Sequence, residues 1–296
     1  MTFTVRSGLR PLFLLLALAL AQLPARHVLA QQVSTDTTRS EATTDTTHKT
    51  QRGAKKHTQK TFFTRHDLVA TGVALGVTAG LSAFDVRIAR WWQSPGVQDG
   101  QSRHDVFNSL TKWNETPLTI GSVLTYGVGR LTKSETVTDI GLHLTEAIVF
   151  TDVIAEAIRG PLGRARPRVS PDDQYSFKFW AGFTEFDHRA WPSIHAAAAF
   201  SIASALVAEI DERNPDANRY AAPLLYGAAM IPGITRMYLN QHWSSDIVAG
   251  AFLGTLIGSR VVYYGHSHKP NKIERALGQV AVAPLGDGRM LVAVQR

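Results

Sequence analysis

The chain of 296 residues contains no cysteine. That absence excludes disulfides, thiolate catalysis, cysteine-bound zinc and an N-terminal lipoprotein cysteine. It is compatible with an oxidising envelope compartment. Residues 1–30 contain no acidic side chain, and residues 31–61 hold almost no large apolar ones. No internal repeat is present, and strict two-residue alternation is rare outside the last stretch of the chain. There is also no basic stripe interleaved with aromatic residues, which speaks against nucleic acid as a partner. The formal charge is only mildly positive, +7. Such a bias suits an anionic substrate or a membrane surface.

The acid-free start reads as a secretory signal over residues 1–30. Arg6 and Arg10 precede a ten-residue apolar run, Leu12 to Ala21, and Val28-Leu29-Ala30 offers small residues for cleavage. A span needs about 20 apolar residues, so this run is short for one; an uncleaved anchor is the other reading. Cleavage would remove three arginines and no acid, lowering the net charge to +4. Residues 31–65 read as a disordered polar linker, since such a composition buries too little surface to offset its ordering entropy. Its basic group of Arg52, Lys55, Lys56, Lys60 and Arg65 is read as a solvated tail in preference to a contact with anionic lipid.

Six apolar segments follow, at roughly 67–84, 117–131, 137–158, 194–210, 221–235 and 246–264. Their Ala, Gly and Leu content without alternation predicts helices. Residues 85–116 and 159–192 read as two long loops. The weakly alternating stretch 279–295 around Gly286-Asp287-Gly288 reads as a small hairpin within a C-terminal tail, 269–296.

Three polar clusters fall at the ends of these segments. The first is Arg159, Arg166 and Pro167 in RGPLGRARP. Two guanidinium groups turned toward one point repel unless an anion lies between them; a basic loop after a helix is the plainer reading, and Arg164 and Arg168 are given only that. The second is Pro192-Ser193-Ile194-His195. Here Ser193 caps a helix whose first N–H groups can face an anion, and His195 can protonate a leaving oxygen. The third is Arg236, His242 and Asp246 in TRMYLNQHWSSD. With a spacing of four, Asp246 can accept from one ring nitrogen of His242 and leave the other as a nucleophile. A His–Asp pair that merely caps a helix has the same spacing. His143, Glu146, Asp152 and Glu156 read as a polar helix face in preference to a metal site, and His266 and His268 as exposed residues.

Taken together and in this order, the clusters resemble the type 2 phosphatidic acid phosphatase superfamily, whose site is shared with the vanadium haloperoxidases. The resemblance covers roughly residues 66–265. It implies an all-α six-helix bundle as the catalytic domain (66–268), to which the small C-terminal β-hairpin read from the alternation is appended. It implies a phosphatase that hydrolyses phosphate monoesters, lipid or isoprenoid phosphates first, through a phosphohistidine and without a metal or other cofactor. His242 would be the residue phosphorylated, Asp246 its orienter and His195 the general acid, while Arg159, Arg166, Ser193, Ile194 and Arg236 hold the phosphate. The alternatives are a vanadate-dependent haloperoxidase, with vanadate as cofactor rather than inhibitor, and a catalytically impaired scaffold. Three departures stand out: the family usually has Lys at Arg159, Ser at Thr235 and Gly at Ile194. The last motivates the scaffold reading, because a β-branched residue resists the positive φ that glycine permits.

The implied partner is an amphiphilic phosphate ester at a membrane surface. The implied location is the bacterial cell envelope, on the periplasmic side. A cleaved signal followed by six spans would leave the end of the third helix in the cytoplasm. That conflict, the shortness of the segments and a mean hydropathy of −0.07 favour a helical body that is peripheral or only partly embedded.

Overall fold

The computed structural model describes residues 61–268 and the backbone of residues 280–284 and 290–294. The expected signal, and all but the last five residues of the expected linker, lie outside the described residues.

Six long helices make the body: α1 (Arg65–Ser82), α5 (Glu115–Thr132), α6 (Glu135–Leu162), α7 (Ile194–Arg213), α8 (Pro215–Tyr238) and α9 (Ser244–Ser267). They match the six predicted segments. The stretch read as the first long loop instead contains three short helices, α2 (Asp85–Trp92), α3 (Pro95–Gln98) and α4 (Gln101–Leu110). Gln93 and Gln98 donate to the Tyr238 carbonyl at 3.1 and 3.0 Å, and Phe107 stacks on Tyr238 at 3.8 Å, so this segment is pinned to the end of α8. The C-terminal hairpin is present as an antiparallel pair, β1 (Val280–Pro284) and β2 (Met290–Val294), with Val280 opposite Val294.

Polar caps outside the apolar runs set the helix starts. Thr64 and Asp67 form a reciprocal capping box at α1; Asn114, Ser134 and Asn214 accept N–H bonds at α5, α6 and α8. The caps at Asn114, Ser134 and Asn214 lengthen α5, α6 and α8 beyond their apolar segments, while α1 keeps 18 residues and starts two positions earlier than expected. The 24 residues of α9 reach about 36 Å at 1.5 Å per residue, more than the ~30 Å of a bilayer core. The shortness inferred from the sequence was therefore too strict.

α7 lies at the centre, packed against α6, α8 and α9. Its Ala196–Ala199 run is buried. On α9, Gly250, Gly254 and Gly258 face it so closely that an added Cβ would come within 2.1–2.3 Å of the carbonyl oxygens of Ser193, Ala197 and Ser201. Small residues on both helices thus let the backbones touch.

The outward faces of the other helices are apolar. Leu68, Val69 and Val73 on α1, Val123 and Leu124 on α5, Phe150 and Val153 on α6, and Leu224 and Met230 on α8 are all exposed. Soluble monomers rarely expose so much contiguous apolar surface, and this is the surface of a membrane protein. By length and composition two helices, α7 and α9, can cross a membrane, and the α1–α2 pair, bent by 61°, is a third if counted as one span.

Candidate active site

The three clusters converge at one end of α6, α7 and α9. Helix α6 runs four residues past its predicted end, so Arg159 lies in its last turn. Gly163 closes that helix at φ 61°, where an added Cβ would also meet the Lys178 carbonyl at 1.8 Å. Only glycine fits there. The chain then folds back on itself through bonds from Ala165 N to Ser176 O (2.9 Å), Arg166 N to Asp187 O (2.9 Å) and Ala190 N to Arg164 O (3.1 Å). The second expected loop is therefore a fixed cover with two short 3-10 turns, Ala181–Phe183 and Phe186–His188.

His242 is buried, in the link between α8 and α9. Its Nδ1 lies 2.8 Å from the Ala190 carbonyl and 3.5 Å from Asp246 Oδ2. The carbonyl is thus the nearer acceptor, and a proton on Nδ1 leaves Nε2 as the lone pair. Nε2 is buried without a hydrogen-bond partner among the described residues. Burial, followed by the guanidinium groups of Arg166 and Arg236, pushes His242 well below the usual imidazole range, so it stands neutral.

Asp246 does more than face His242. It accepts from Trp243 N at 2.8 Å and from Arg164 Nη1 at 2.6 Å. Arg164, read from sequence as a basic loop residue, is 3% exposed. It also donates to Ser245 Oγ (2.8 Å), Asp85 (2.9 Å) and the Gln174 carbonyl (2.9 Å). Asp85, at the start of α2, further accepts from Ser244 Oγ and Ser245 N. The Trp243 ring N–H closes the same frame on the Ala165 carbonyl at 2.9 Å. Arg168, by contrast, does pair with Asp187 at the surface, as expected of it.

Arg166 is 1% exposed; it donates to the Phe186 carbonyl at 3.1 Å and to Gln241, and its guanidinium lies 4.0 Å from the Phe186 ring centre. Burial, then the like charges of Arg168, Arg159 and Arg236, lowers it to about 10. Arg159, Arg166 and Arg236 therefore face one region. Arg159 is held by Glu156 through Nε at 2.8 Å.

Ser193 caps α7, accepting from Ala196 N at 3.5 Å, and its own N–H reaches the Asp246 carbonyl at 3.0 Å. Ile194 is buried in the first turn of α7 with helical backbone, outside the set of positive-φ residues. Ile194 therefore does not adopt the positive φ that glycine permits. His195 stands edge-on to His242, ring centres 5.9 Å apart. Its Nε2 lies 3.5 Å from Glu115 Oε2, and its Nδ1 is buried and unpaired among the described residues.

Sequence reasoning missed Arg164, Asp85 and Glu115. Glu115 carried one signal, its place just after the cap Asn114; Asp85 and Arg164 carried none that set them apart from ordinary helix-end charges.

Guanidinium groups and two facing imidazoles gathered at one end of an all-α bundle have the chemistry to hold a tetrahedral oxyanion. Comparison with known families gives one match: residues 140–269, a little under half of the chain, match the PAP2 superfamily. Among curated proteins it is similar to two lipid A 1-phosphatases. That of Porphyromonas gingivalis is 36% identical over 69 residues, 23% of this chain and 15% of the relative. That of Rhizobium etli is 31% identical over 118 residues, 39% of this chain and 46% of the relative. The chain thus spans less than half the length of these relatives. Its fold is similar to the crystal structure of a transmembrane PAP2-type phosphatidylglycerolphosphate phosphatase from Bacillus subtilis, with a TM-score of 0.53 and 16% identity, covering 69% of this chain and 98% of that one.

Proposed function

We propose that the chain is a phosphatase of lipid phosphate monoesters, acting through a phosphohistidine at His242. The observation that carries this reading is the state of that ring: buried, neutral, tied through Nδ1 and unpaired at Nε2, among Arg159, Arg166 and Arg236. The arginines draw the phosphate dianion in and spread its charge. His242 Nε2 attacks phosphorus, and the P–O bond to the alcohol breaks as His195 gives that oxygen a proton. A water then loses its proton to His195 and attacks phosphorus, breaking the P–N bond and releasing phosphate. Asp246, held by Arg164, steadies the positive charge on His242 between the two steps. No metal is required, because the guanidinium groups supply the charge. The exposed apolar helix faces, together with the lipid phosphatase relatives, favour an amphiphilic substrate in a membrane.

The test uses detergent-solubilised full chain and a panel of lipid, isoprenoid and soluble monoesters. Wild type should release phosphate, and His242→Ala should lower turnover at least ~10³-fold. Rapid quench with labelled substrate should leave acid-labile label on His242. Retention of a tenth of the wild-type rate by the variant, or label at another residue, would refute the assignment.

A further inference from the structure

We propose that His143, Glu209 and His266 form a binding site for a divalent transition-metal ion, best matched by zinc, at the end of the bundle opposite the active site. His143 comes from α6, Glu209 from α7 and His266 from α9, and one ligand atom of each lies within 4.8 Å of the others. Sequence spacing alone did not assemble them, since the three residues lie far apart along the chain. His143 Nδ1 meets Glu209 Oε1, and His266 Nε2 is 3.3 Å from Glu209 Oε2, so the carboxylate sits between the two imidazoles. The rings stand edge-on with centres 5.2 Å apart. Glycine at 265 makes room for this: a Cβ there would come 2.5 Å from His143 Nε2. Two imidazoles and a carboxylate suit zinc, with ligand distances of about 2.0–2.2 Å. Small rotamer shifts would draw the three atoms onto one ion, leaving a fourth position for water.

Arg213 is the competitor. Its guanidinium bonds Glu209 and lies 3.5 Å from His266 Nε2, so a protein cation already serves the carboxylate. It is also partly exposed and has a second acid in reach, Asp139 at 3.9 Å. A metal ion on Glu209 would displace Arg213 toward Asp139. The location defines the role. Glu209 lies fourteen positions along α7 from His195, about 21 Å at 1.5 Å per residue. The ion would take no part in phosphoryl transfer; it would clip together the far ends of the three helices that carry Arg159, His195 and Asp246 at their other ends.

The test uses the full chain in detergent after EDTA treatment, titrated with Zn2+ and separately with Co2+. Wild type should bind one ion saturably, gain a visible Co2+ absorption band typical of four nitrogen and oxygen ligands, and melt at least ~5 °C higher at a hundredfold excess over Kd. His266→Gln should lose at least ~100-fold in affinity, and Arg213→Ala, freed of the competing guanidinium, should bind more tightly. Turnover of wild type at temperatures below melting should be the same with and without EDTA. Binding that persists in His266→Gln would belong to other histidines of the chain and would overturn the proposal. So would weaker binding by Arg213→Ala, or a wild type that shows no saturable binding and no Co2+ band.

Discussion

Burial and the nearby arginines keep the His242 ring neutral in the free enzyme, and this has a measurable sign. For the proposed attack by His242, a lowered imidazole pKa means that the base form survives to lower pH. The acidic limb of kcat/KM, corrected for the second ionisation of the substrate, should therefore lie below 6.5, the ordinary histidine value. Arg166→Gln removes one of the charges that depress the ring, so that limb should move up toward 6.5 even as the rate falls. A limb that stays put would mean that Arg166 exerts no field at His242. Arg164 belongs to the same scale. Arg164→Ala would strand Asp85 and Asp246, two buried carboxylates, and should cost about 3–5 kcal/mol, read as a lower melting temperature together with lost turnover. That His195, His242 and Arg166 lie together was legible in the sequence, because their residue types at helix ends suit phosphate chemistry. Arg164, Asp85 and Glu115 were not, because their work depends on partners up to 160 positions away.

At the scale of the element, six helices were legible from their apolar runs. The lengths of α5, α6 and α8 were not, because the caps at Asn114, Ser134 and Asn214 lie outside those runs. The short helices α2–α4 were missed because ten residues or fewer carry too few turns to establish a period. The α7–α9 contact yields a paired prediction. Gly254→Val would drive a side chain into the Ala197 carbonyl and the Ser201 backbone, and should prevent stable folding. Gly227 on α8 has nothing within 4 Å of an added Cβ, so Gly227→Ala should be neutral or stabilise by about 0.4–1 kcal/mol. Thermal melts of both variants in one detergent check the pair. Equal effects would mean that α7 and α9 are not in backbone contact.

For the whole molecule, the exposed apolar faces predict that the protein stays in the membrane pellet after an alkaline carbonate wash, and that detergent alone releases it. Release by carbonate would return the peripheral reading that the sequence favoured. The cover over the site adds a second expectation. Phe179, Trp180, Phe183 and Phe186 are all exposed on it, and aromatic rings of this kind settle at the bilayer interface. Replacing Phe179 and Trp180 by serine should raise KM for a substrate presented in vesicles while leaving kcat, and the KM for a soluble ester, within about twofold. An equal change on both substrates would show that the rings act on the site itself. The low mean hydropathy agrees with the small number of helices, two or three among the described residues, that are long and apolar enough to cross a membrane.

The alanine quartet of α7 has a consequence in entropy. Ala196–Ala199 has no side-chain rotamers to lose, so bringing α7 against its neighbours orders the backbone and little else. A leucine at each position would forfeit about 0.5–1 kcal/mol of rotamer freedom before making any contact. The helix that presents His195 is therefore ordered at small conformational expense, and its neighbours meet a surface with almost no alternative arrangements. The proposed general acid is thus mounted beside a packing surface with few ways to move.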